Sequence, residues 1–306
     1  MDILGQTKID FLGKRNITFA FSAVFAVIGL VAVFAVYTGK ANMGIDFSGG
    51  VSIQFRFEGP VEIDEVRGML AEGGFPDAGL QQFAEPNKLL VRLKGARGNL
   101  RETSDSISAV FSKGLPENPF VVDSTTEIGP TVGKKLQTDA LKAIGIALMG
   151  ILFYVAWRFE FRFGVAAVVA TFHDVLVVMG LLYLMDKEIN LLIVTALLTL
   201  AGYSITDTVV VFDRIRENLH KEKKEDIVTL INRSINEVLS RTFVTSGTTL
   251  LVLLALMVLG GEVIHDFSLA LFLGVVVGTY SSVFIASPVL LFWKEKKKLP
   301  APKPSA

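Results

Sequence analysis

The sequence predicts an α-helical membrane protein, with six transmembrane helices and one α+β domain outside the membrane between helices 1 and 2. Hydrophobic residues make up 51% of the 306 residues, and the mean hydropathy is +0.52. The charged residues, 20% of the chain, are crowded between long windows that contain almost none. Between the first two windows, the apolar pattern changes to that of short strands and amphipathic helices.

Six windows are predicted to cross the membrane, because a hydrocarbon core of about 30 Å needs about 20 residues at about 1.5 Å each. The first is too long for a signal peptide and lacks a cleavage pattern, so we expect it to be retained. The second is short, but Asp139 and Lys142 can snorkel and extend it. The windows are 17–37, 143–157, 164–185, 189–212, 242–261 and 267–293.

Lysine and arginine residues near the helix ends predict the orientation. With the N-terminus in the cytoplasm, the cytoplasmic segments hold 17 of these residues, whereas the two short outer loops hold only Lys187. Both termini are therefore predicted to be cytoplasmic. Segment 38–135 is predicted to be extracytoplasmic, because long domains translocate regardless of their charge.

The windows predict four parts of the chain. These are a cytoplasmic N-terminus with helix 1 at 1–37, an extracytoplasmic α+β domain at 38–135, helices 2–6 at 136–293, and a basic cytoplasmic tail at 294–306. Within the third part, segment 213–241 is predicted to be a cytoplasmic amphipathic loop that lies on the membrane or on another subunit. A solvated helical connector is an equally good interpretation. The lysines of the tail are predicted to contact anionic lipid.

The outer domain has the predicted element order βαββαβ. Residues 51–57 alternate between apolar and polar, as a strand with one buried face does, and a helical pattern from Ile63 stops at Gly73. A hairpin at 80–93, a second amphipathic helix at 100–111 and a strand at 120–127 follow. This order is typical of the ferredoxin-like fold, in which two helices cover one face of an antiparallel sheet.

Four ionisable residues in or beside the apolar windows are candidates for proton coupling. Asp174, with His173 beside it, lies near the middle of its window, and Asp207 lies five residues from the cytoplasmic end of the next. A charge at such depth costs about 3 kcal/mol on insertion scales, so it usually faces a cavity or a partner. Arg241 opens the fifth window, and its side chain is long enough to reach Asp207. If the arginine moves, the proton affinity of the carboxylate changes, as a proton relay requires.

A static role is the alternative for these residues. His173 and Asp174 can form a hydrogen-bonded pair that holds two helices together. Arg241 can snorkel to lipid headgroups. The hydroxyl residues around Asp207 can hold water or join helices, and both interpretations remain open.

Segment 44–50, GIDFSGG, follows the first window directly. In the first interpretation, Gly44, Gly49 and Gly50 form a turn that links helix 1 to the first strand, and Asp46 caps backbone amides. In the second, the segment is a hinge through which motion in the membrane reaches the outer domain.

The composition also excludes several classes of protein. A formal net charge of zero is not that of a nucleic-acid binder with a basic surface. Without cysteine there is no disulfide or thiol chemistry, and the three scattered histidines do not predict a metal centre. There is no phosphate-binding loop and no nucleophile elbow. We therefore expect neither enzymatic activity nor a cofactor.

Two stretches resemble the signature segments of the SecF family, a subunit of the bacterial SecDF protein-export complex. They are GIDFSGG at 44–50 and GYSITDTVVVFDRIREN at 202–218, and the resemblance also takes in SRT at 240–242 and TSGTTL at 245–250. It extends to the six-helix plan with one large outer loop. One departure is Thr206, where the family pattern has Asn, and this puts the hydrogen bonding beside Asp207 in doubt.

The resemblance implies a function and partners. A SecF-like chain is half of a transporter of the resistance-nodulation-division type and pairs with SecD beside the SecYEG channel in the bacterial inner membrane, with YajC as a candidate further partner. The pair uses the proton gradient to help an unfolded secretory polypeptide outward, and Asp207 and Arg241 map onto the proton-coupling positions. A scaffold that only stabilises a membrane partner is the alternative. A small-molecule exporter of the same superfamily fits poorly, because such exporters have about twice as many helices in one chain.

Overall fold

The computed structural model describes residues 7–83, 85–95, 100–221 and 225–293. The outer elements follow a first long helix in the order α1 (Arg15–Tyr37), α2 (Ile45–Ser48), β1 (Gly50–Phe57), α3 (Ile63–Glu72), β2 (Gly79–Gln82), β3 (Lys88–Lys94), α4 (Leu100–Gly114) and β4 (Phe120–Ile128). Five more long helices complete the chain: α5 (Pro130–Arg158), α6 (Phe161–Leu184), α7 (Leu191–Lys221), α8 (Ile227–Leu259) and α9 (Gly261–Ser281). A π-helical turn (Ser282–Ala286) and two short helical turns carry the last helix on to Trp293.

Among the described residues, six helices are long and apolar enough to cross a membrane. Each overlaps one of the six predicted windows, so this part of the predicted fold class is confirmed at the level of helices. The predicted basic tail at 294–306 lies outside the described residues.

The second membrane helix is longer than predicted. The prediction starts at 143, but α5 starts at Pro130, which occupies the first turn where a missing N–H costs nothing. Lys134 and Lys135 lie on exposed positions of this extension, while Leu136 and Ala140 pack against the apolar core. Charges on one side therefore interrupt the apolar window without interrupting the helix. The predicted boundary at 135 falls inside α5, and the last strand of the outer domain ends at Ile128.

The predicted amphipathic loop at 213–241 is also mostly helical. Helix α7 continues to Lys221 and α8 begins at Ile227, where the Asp226 side chain caps the first turn by accepting from the Val228 N–H at 3.1 Å. The apolar side chains of both extensions are buried against Phe163 in one core, and these are Ile215, Leu230, Ile231, Ile235 and Leu239. The amphipathic pattern thus marks two helices that pack on the protein itself.

The outer domain contains a small antiparallel sheet with the strand order β2-β3-β1-β4. The predicted hairpin is present, with Leu80 opposite Val91, and β1 pairs with β3 so that Ile53 also lies opposite Val91. Strand β4 pairs with the other side of β1 and shifts register once, between Gln54 and Phe55. Both β2 and β4 are edge strands.

The core of the outer domain lies on one face of this sheet. Phe55 and Phe57 of β1 are buried against Phe111 of α4 and Phe120 of β4. In each of these four pairs, the ring centroids are 4.9 to 5.6 Å apart. Val66 and Leu70 of α3 and Ile107 of α4 join the same core. The opposite face carries the polar residues of β1, among them Arg56, whose guanidinium lies 2.6 Å from Asp123.

The membrane helices approach each other closely where small residues meet. A Cβ on Gly29 of α1 would lie 2.1 Å from the Leu176 carbonyl oxygen of α6, and one on Gly180 of α6 would lie 2.8 Å from the Gly29 nitrogen. Such contact is how membrane helices gain packing energy without a hydrophobic driving force between them. On the other side of the bundle, Gly274 and Gly278 of α9 face Leu200 and Ser204 of α7.

Candidate functional site

Asp207 lies in the interior of the bundle, where α7 meets α8 and α9. Its residue is 6% exposed. Ser246 Oγ of α8 donates to Asp207 Oδ2 at 3.1 Å, Thr279 Oγ1 of α9 lies within 3.4 Å of the same oxygen, and the two hydroxyls are 2.8 Å apart. The carboxylate is thus held by neutral hydroxyls from two other helices, each of which can rotate and serve as donor or acceptor.

Arg241 is not in contact with Asp207 in this structure. The residue is exposed, and within the described ranges its guanidinium makes no ion pair or hydrogen bond, although it lies near enough for its charge to act on the Asp207 carboxylate. It precedes Ser246 by five residues on α8, about 7 Å along the helix axis toward the cytoplasmic end. The predicted pair therefore lies on neighbouring helices, with the arginine outside the bundle and the carboxylate inside it.

Asp174 and His173 occupy a different environment on α6. Asp174 is fully buried, and its carboxylate accepts from Ser204 Oγ of α7 at 2.5 Å and from Ser281 Oγ of α9 at 2.7 Å. His173 Nδ1 lies 2.9 Å from the other carboxylate oxygen, while His173 Nε2 is buried without a partner among the described residues. The cluster joins three helices through one carboxylate.

The last helix changes its winding just after it reaches this cluster. Ser281 is the last residue of α9 before the π-helical turn, and Ser287 Oγ donates to the Ser282 carbonyl at 2.8 Å within that turn. Gly278 allows the approach, because a Cβ there would lie 3.3 Å from the Ser204 Cβ. Single π-helical turns occur frequently at functional sites. Here the turn follows directly on Thr279 and Ser281, which reach the two buried aspartates.

Segment 44–50 lies between α1 and β1 and contacts the turn between α6 and α7. Asp46 Oδ2 accepts from the Leu191 N–H at 2.9 Å, so it caps the first turn of α7 rather than its own. Gly49 and Gly50 have φ values of 72° and 143°, and a Cβ on Gly50 would lie 2.1 Å from the Leu93 carbonyl oxygen. The two glycines are required by conformation and by space. The role of the segment as a hinge stays a prediction.

Comparisons with known proteins identify the family. Residues 112–296 match the family described as "Protein export membrane protein SecD/SecF, C-terminal", and residues 35–61 match "SecD/SecF GG Motif". The protein translocase subunit SecF of Thermodesulfovibrio yellowstonii is 52% identical over 293 residues, which are 95% of this chain and 96% of that protein. The chain belongs to the SecF family. The SecF of Calditerrivibrio nitroreducens is 43% identical over 299 residues, 97% of each chain.

Solved SecDF structures are similar to this SecF chain. SecDF of Thermus thermophilus, described as a translocon-associated membrane protein, superposes with a TM-score of 0.83 at 39% identity over 95% of this chain. SecDF in a super-membrane-facing form superposes with a TM-score of 0.70 at 38% identity. This chain spans 39% of each of those chains. It is a SecF protein translocase subunit, related in structure to SecDF, and a membrane protein.

The Thr206 departure from the SecF pattern does not reach Asp207. Thr206 is exposed, and its hydroxyl donates to the Gly202 carbonyl of its own helix at 3.2 Å. The hydrogen bonds of Asp207 come instead from α8 and α9. The substitution therefore changes the outer surface of α7 and leaves the described partners of the SecF aspartate intact.

Several residues around the two SecF aspartates were missed by sequence reasoning. Thr279 and Ser281 lie in the longest charge-free window, where their hydroxyls stood out only as polar residues among apolar ones.

Sequence reasoning also missed an ion pair at the outer end of the helices. Arg92 of β3 and Glu188 of the α6–α7 turn form this pair and are 96 residues apart in the sequence. No local pattern could have paired them, because the contact depends on how the outer domain sits on the membrane helices.

Proposed function

We propose that this SecF subunit, together with SecD, couples the proton gradient to late-stage export of unfolded polypeptides. The observation that carries the proposal is the environment of Asp207. A carboxylate inside the membrane bundle is bonded by two neutral hydroxyls, and the Arg241 charge acts on it from a distance without forming an ion pair. When it is ionised it accepts from both, and when it is protonated it donates to one of them, so each proton step reorders contacts between three helices.

Unpartnered hydroxyls support a change of partners at this site. Thr208, next to Asp207, and Thr242, one turn from Ser246 on the cytoplasmic side, are buried and have no hydrogen-bond partner among the described residues. Buried polar groups without partners are costly. Here they offer a donor and an acceptor on each of the two helices that meet at the carboxylate.

Exposed polar stripes on α7 and α8 support a protein partner. Thr195, Thr199, Gly202 and Thr206 lie on one face of α7, and Arg241, Thr245 and Thr248 lie on one face of α8. The hydroxyls bond to their own helix, but the guanidinium of Arg241 needs a partner or water at membrane depth. We infer that SecD covers these stripes, as the additional length of the similar SecDF chains allows.

The outer domain supports the polypeptide part of the proposal. We infer a ferredoxin-like domain from its strand order and from the two helices on one face of the sheet. Val121 and Val122 of the edge strand β4 are 55% and 41% exposed. An open strand edge with apolar side chains is suited to an extended polypeptide or to a neighbouring domain.

The proposal includes the location and further partners of the protein. The lysine and arginine distribution supports both termini in the cytoplasm and a multi-pass position in the bacterial inner membrane. The SecYEG channel, YajC and the unfolded secretory polypeptide are the proposed further partners. Proton binding and release at Asp207 are the chemistry that the proposal requires, so it assigns the chain no enzymatic step.

The test is export of a secreted reporter into membrane vesicles that carry Asp207→Asn, with and without a proton gradient. We expect the variant to assemble with SecD and to lose the part of export that depends on the gradient, because Asn keeps the hydrogen bonds but cannot exchange a proton. Asp139→Asn is the matched control, since the Asp139 side chain is half exposed on α5. Full response to the gradient in Asp207→Asn would overturn the proposal.

A scaffold that stabilises SecD is the second candidate function. It is favoured by Asp174, whose carboxylate has three partners and is fully enclosed, as expected of a group that only holds helices together. The same vesicles separate the two functions. A scaffold loses export only when SecD no longer co-purifies, whereas the proposed coupling is lost in an assembled complex.

A further inference from the structure

Segment 44–50 joins the outer domain to the turn between α6 and α7 through backbone hydrogen bonds. The Gly44 N–H donates to the Ile189 carbonyl at 2.8 Å, and the Ile189 N–H donates to the Asn42 carbonyl at 2.7 Å. Met43 and Ile189 form a parallel bridge between the two segments. The chain that enters the outer domain is thus paired with the chain that enters α7.

Two side chains of the same segment strengthen this junction. Asp46 caps the Leu191 N–H, where the carboxylate also meets the positive end of the helix dipole. Phe47 is buried in one core with Ile189 and Ile193, close to the first turn of α7. The outer end of α7 is therefore fixed to the outer domain by both a charge and an apolar contact.

The sheet makes a second connection to the same turn. Arg92 of β3 forms an ion pair with Glu188, and the two side chains are 23% and 12% exposed. Lys94 Nζ donates to Asn42 Oδ1 at 2.5 Å, and Asn42 Nδ2 donates to the Asp186 carbonyl at 3.0 Å. A partly buried ion pair resists separation more than a surface pair, because its charges are less screened by water.

The contact between the outer domain and the α8–α9 turn is much looser. A cleft of about 510 Å³ separates them, with Leu80 and Gln81 of β2 on one side and Met257 and Val258 of α8 on the other. At its edge, Lys187 Nζ of the α6–α7 turn donates to Asp266 Oδ1 of α9 at 2.8 Å, and both side chains are about one quarter exposed. Among the described residues, the outer domain is therefore joined to the outer end of α7 by hydrogen bonds and an ion pair, whereas the cleft separates it from α8.

We propose that Asp46 and Glu188 are positioning residues that make the outer domain and α7 move as one body relative to α8 and α9. The inference rests on the proposed function of Asp207, which lies on α7 sixteen residues below Leu191, about 24 Å along a continuous helix. A change in the bonds of Asp207 to Ser246 and Thr279 shifts α7 against its neighbours. The junction carries this shift to the outer domain, and the cleft changes its width.

The first test locks either the outer domain to the α6–α7 turn or that turn to α9, which is practical because the chain contains no cysteine. Met43→Cys with Ile189→Cys closes a disulfide across the junction, and Lys187→Cys with Asp266→Cys is joined by a short bis-maleimide, which fixes the outer end of α7 to α9. We expect the first lock to leave gradient-dependent export unchanged and the second to abolish it. Loss of export on oxidation of the junction pair, with recovery on reduction, would overturn the proposal.

The second test breaks the junction while leaving Asp207 in place. We expect Asp46→Ala with Glu188→Ala to lose gradient-dependent export in a complex that still contains SecD. Asp46→Asn should retain it, because the asparagine amide oxygen can still accept from the Leu191 N–H. Exchange of the ion pair, Arg92→Glu with Glu188→Arg, should restore the gradient-dependent export that is lost in Glu188→Ala alone. If these residues only stabilised the fold, all variants that assemble equally well with SecD would show equal gradient-dependent export.

A readout at the cleft separates this inference from the proposed function. The rate at which maleimide labels Gln81→Cys should differ between a chain with Asp207 and one with Asp207→Asn, and this difference should vanish when Asp46→Ala and Glu188→Ala are added. If Asp207→Asn abolishes coupling but the junction variants change neither labelling nor export, the inference fails and the proposed function stands. If Asp207→Asn changes nothing, the proposed function fails first.

Discussion

Asp207 and Asp174 are the same residue type in the same bundle, yet their surroundings differ. Asp174 is enclosed by Ser204, Ser281 and His173, so its ionised form has a donor for each of three acceptor positions. Asp207 has hydroxyls on one oxygen only and unpartnered hydroxyls near it. A carboxylate whose ionised form accepts fewer hydrogen bonds can be protonated at lower cost than one that accepts three.

Glu188 gives a prediction of pH dependence at the residue scale. Burial raises the pKa of the Glu188 carboxyl, the Arg92 and Lys94 charges lower it, and Asp46 and Asp266 raise it further, with a net upward direction. Since the folded state binds this proton more tightly than the unfolded state, the contribution to stability is present at low pH and is lost as the pH rises through the raised pKa.

The check is thermal unfolding of the detergent-solubilised protein from acidic to neutral pH, with Glu188→Gln as the variant. We expect the wild-type protein to lose stability over the range above the ordinary pKa of a glutamate, and Glu188→Gln to lose less over the same range. Lys88 and Glu85 form an exposed ion pair in the outer domain, so Glu85→Gln is the control. Equal pH dependence in wild type and Glu188→Gln would contradict the assignment.

Among the elements, α7 links the outer domain, the two buried aspartates and the cytoplasmic end of the bundle. Asp46 caps the outer end of α7. The middle of the helix carries Ser204, which donates to Asp174, and Asp207 itself. Its cytoplasmic end packs against α8. Its 31 residues span about 46 Å, longer than a hydrocarbon core of about 30 Å. A rigid rod of that length can transmit a small displacement from the bundle to the outer domain.

The close approach of α1 and α6 gives a prediction about these elements. We expect Gly29→Ala to destabilise the protein by about 1–3 kcal/mol, because its Cβ would meet the Leu176 backbone, which cannot rotate away. Gly145→Ala on α5 is the control, since a Cβ there meets nothing within 4 Å. Denaturation in detergent with increasing SDS measures both. The packing argument fails if the two variants are equally stable.

At the scale of the whole molecule, the membrane helices differ in how much of their surface the described chain itself buries. Helix α5 buries only 6% of its most apolar window and α8 only 17%, whereas α6 buries 61%. Lipid can cover an apolar surface, but it covers the polar stripes of α7 and α8 less well. We therefore expect the partner to lie against α7 and α8 rather than against residues 143–157 of α5, whose exposed side chains are apolar or aromatic.

Glycines with open surroundings allow this arrangement to be tested. Gly202 lies in the α7 stripe and Gly150 on α5, and a Cβ on either meets nothing within 4 Å. We expect Gly202→Phe to fold normally and to reduce co-purification with SecD, because the ring would occupy the space of a neighbouring helix. Gly150→Phe should co-purify like the wild-type protein. Normal assembly of Gly202→Phe would place the partner elsewhere.

The sequence by itself determined the features that depend on local pattern. The six apolar windows, the alternation of β1 and the hairpin of β2 and β3 could be predicted because side-chain period and hydropathy act over a few residues. The family could be identified for the same reason, since its motifs are continuous. The starts of α5 and α8 were predicted wrongly because charged residues on one exposed side of a helix end an apolar window without ending the helix.

Only the tertiary structure decided which buried groups meet. The sequence predicted from depth alone that Arg241 could reach Asp207. The packing of α7, α8 and α9 places two hydroxyls in contact with Asp207, whereas Arg241 lies on an exposed face of α8 and acts on the carboxylate only through its charge. The contacts of Asp46 with Leu191 and of Arg92 with Glu188 join segments about 100 residues or more apart. Such contacts arise from the position of one folded part on another, which no local period in the sequence encodes.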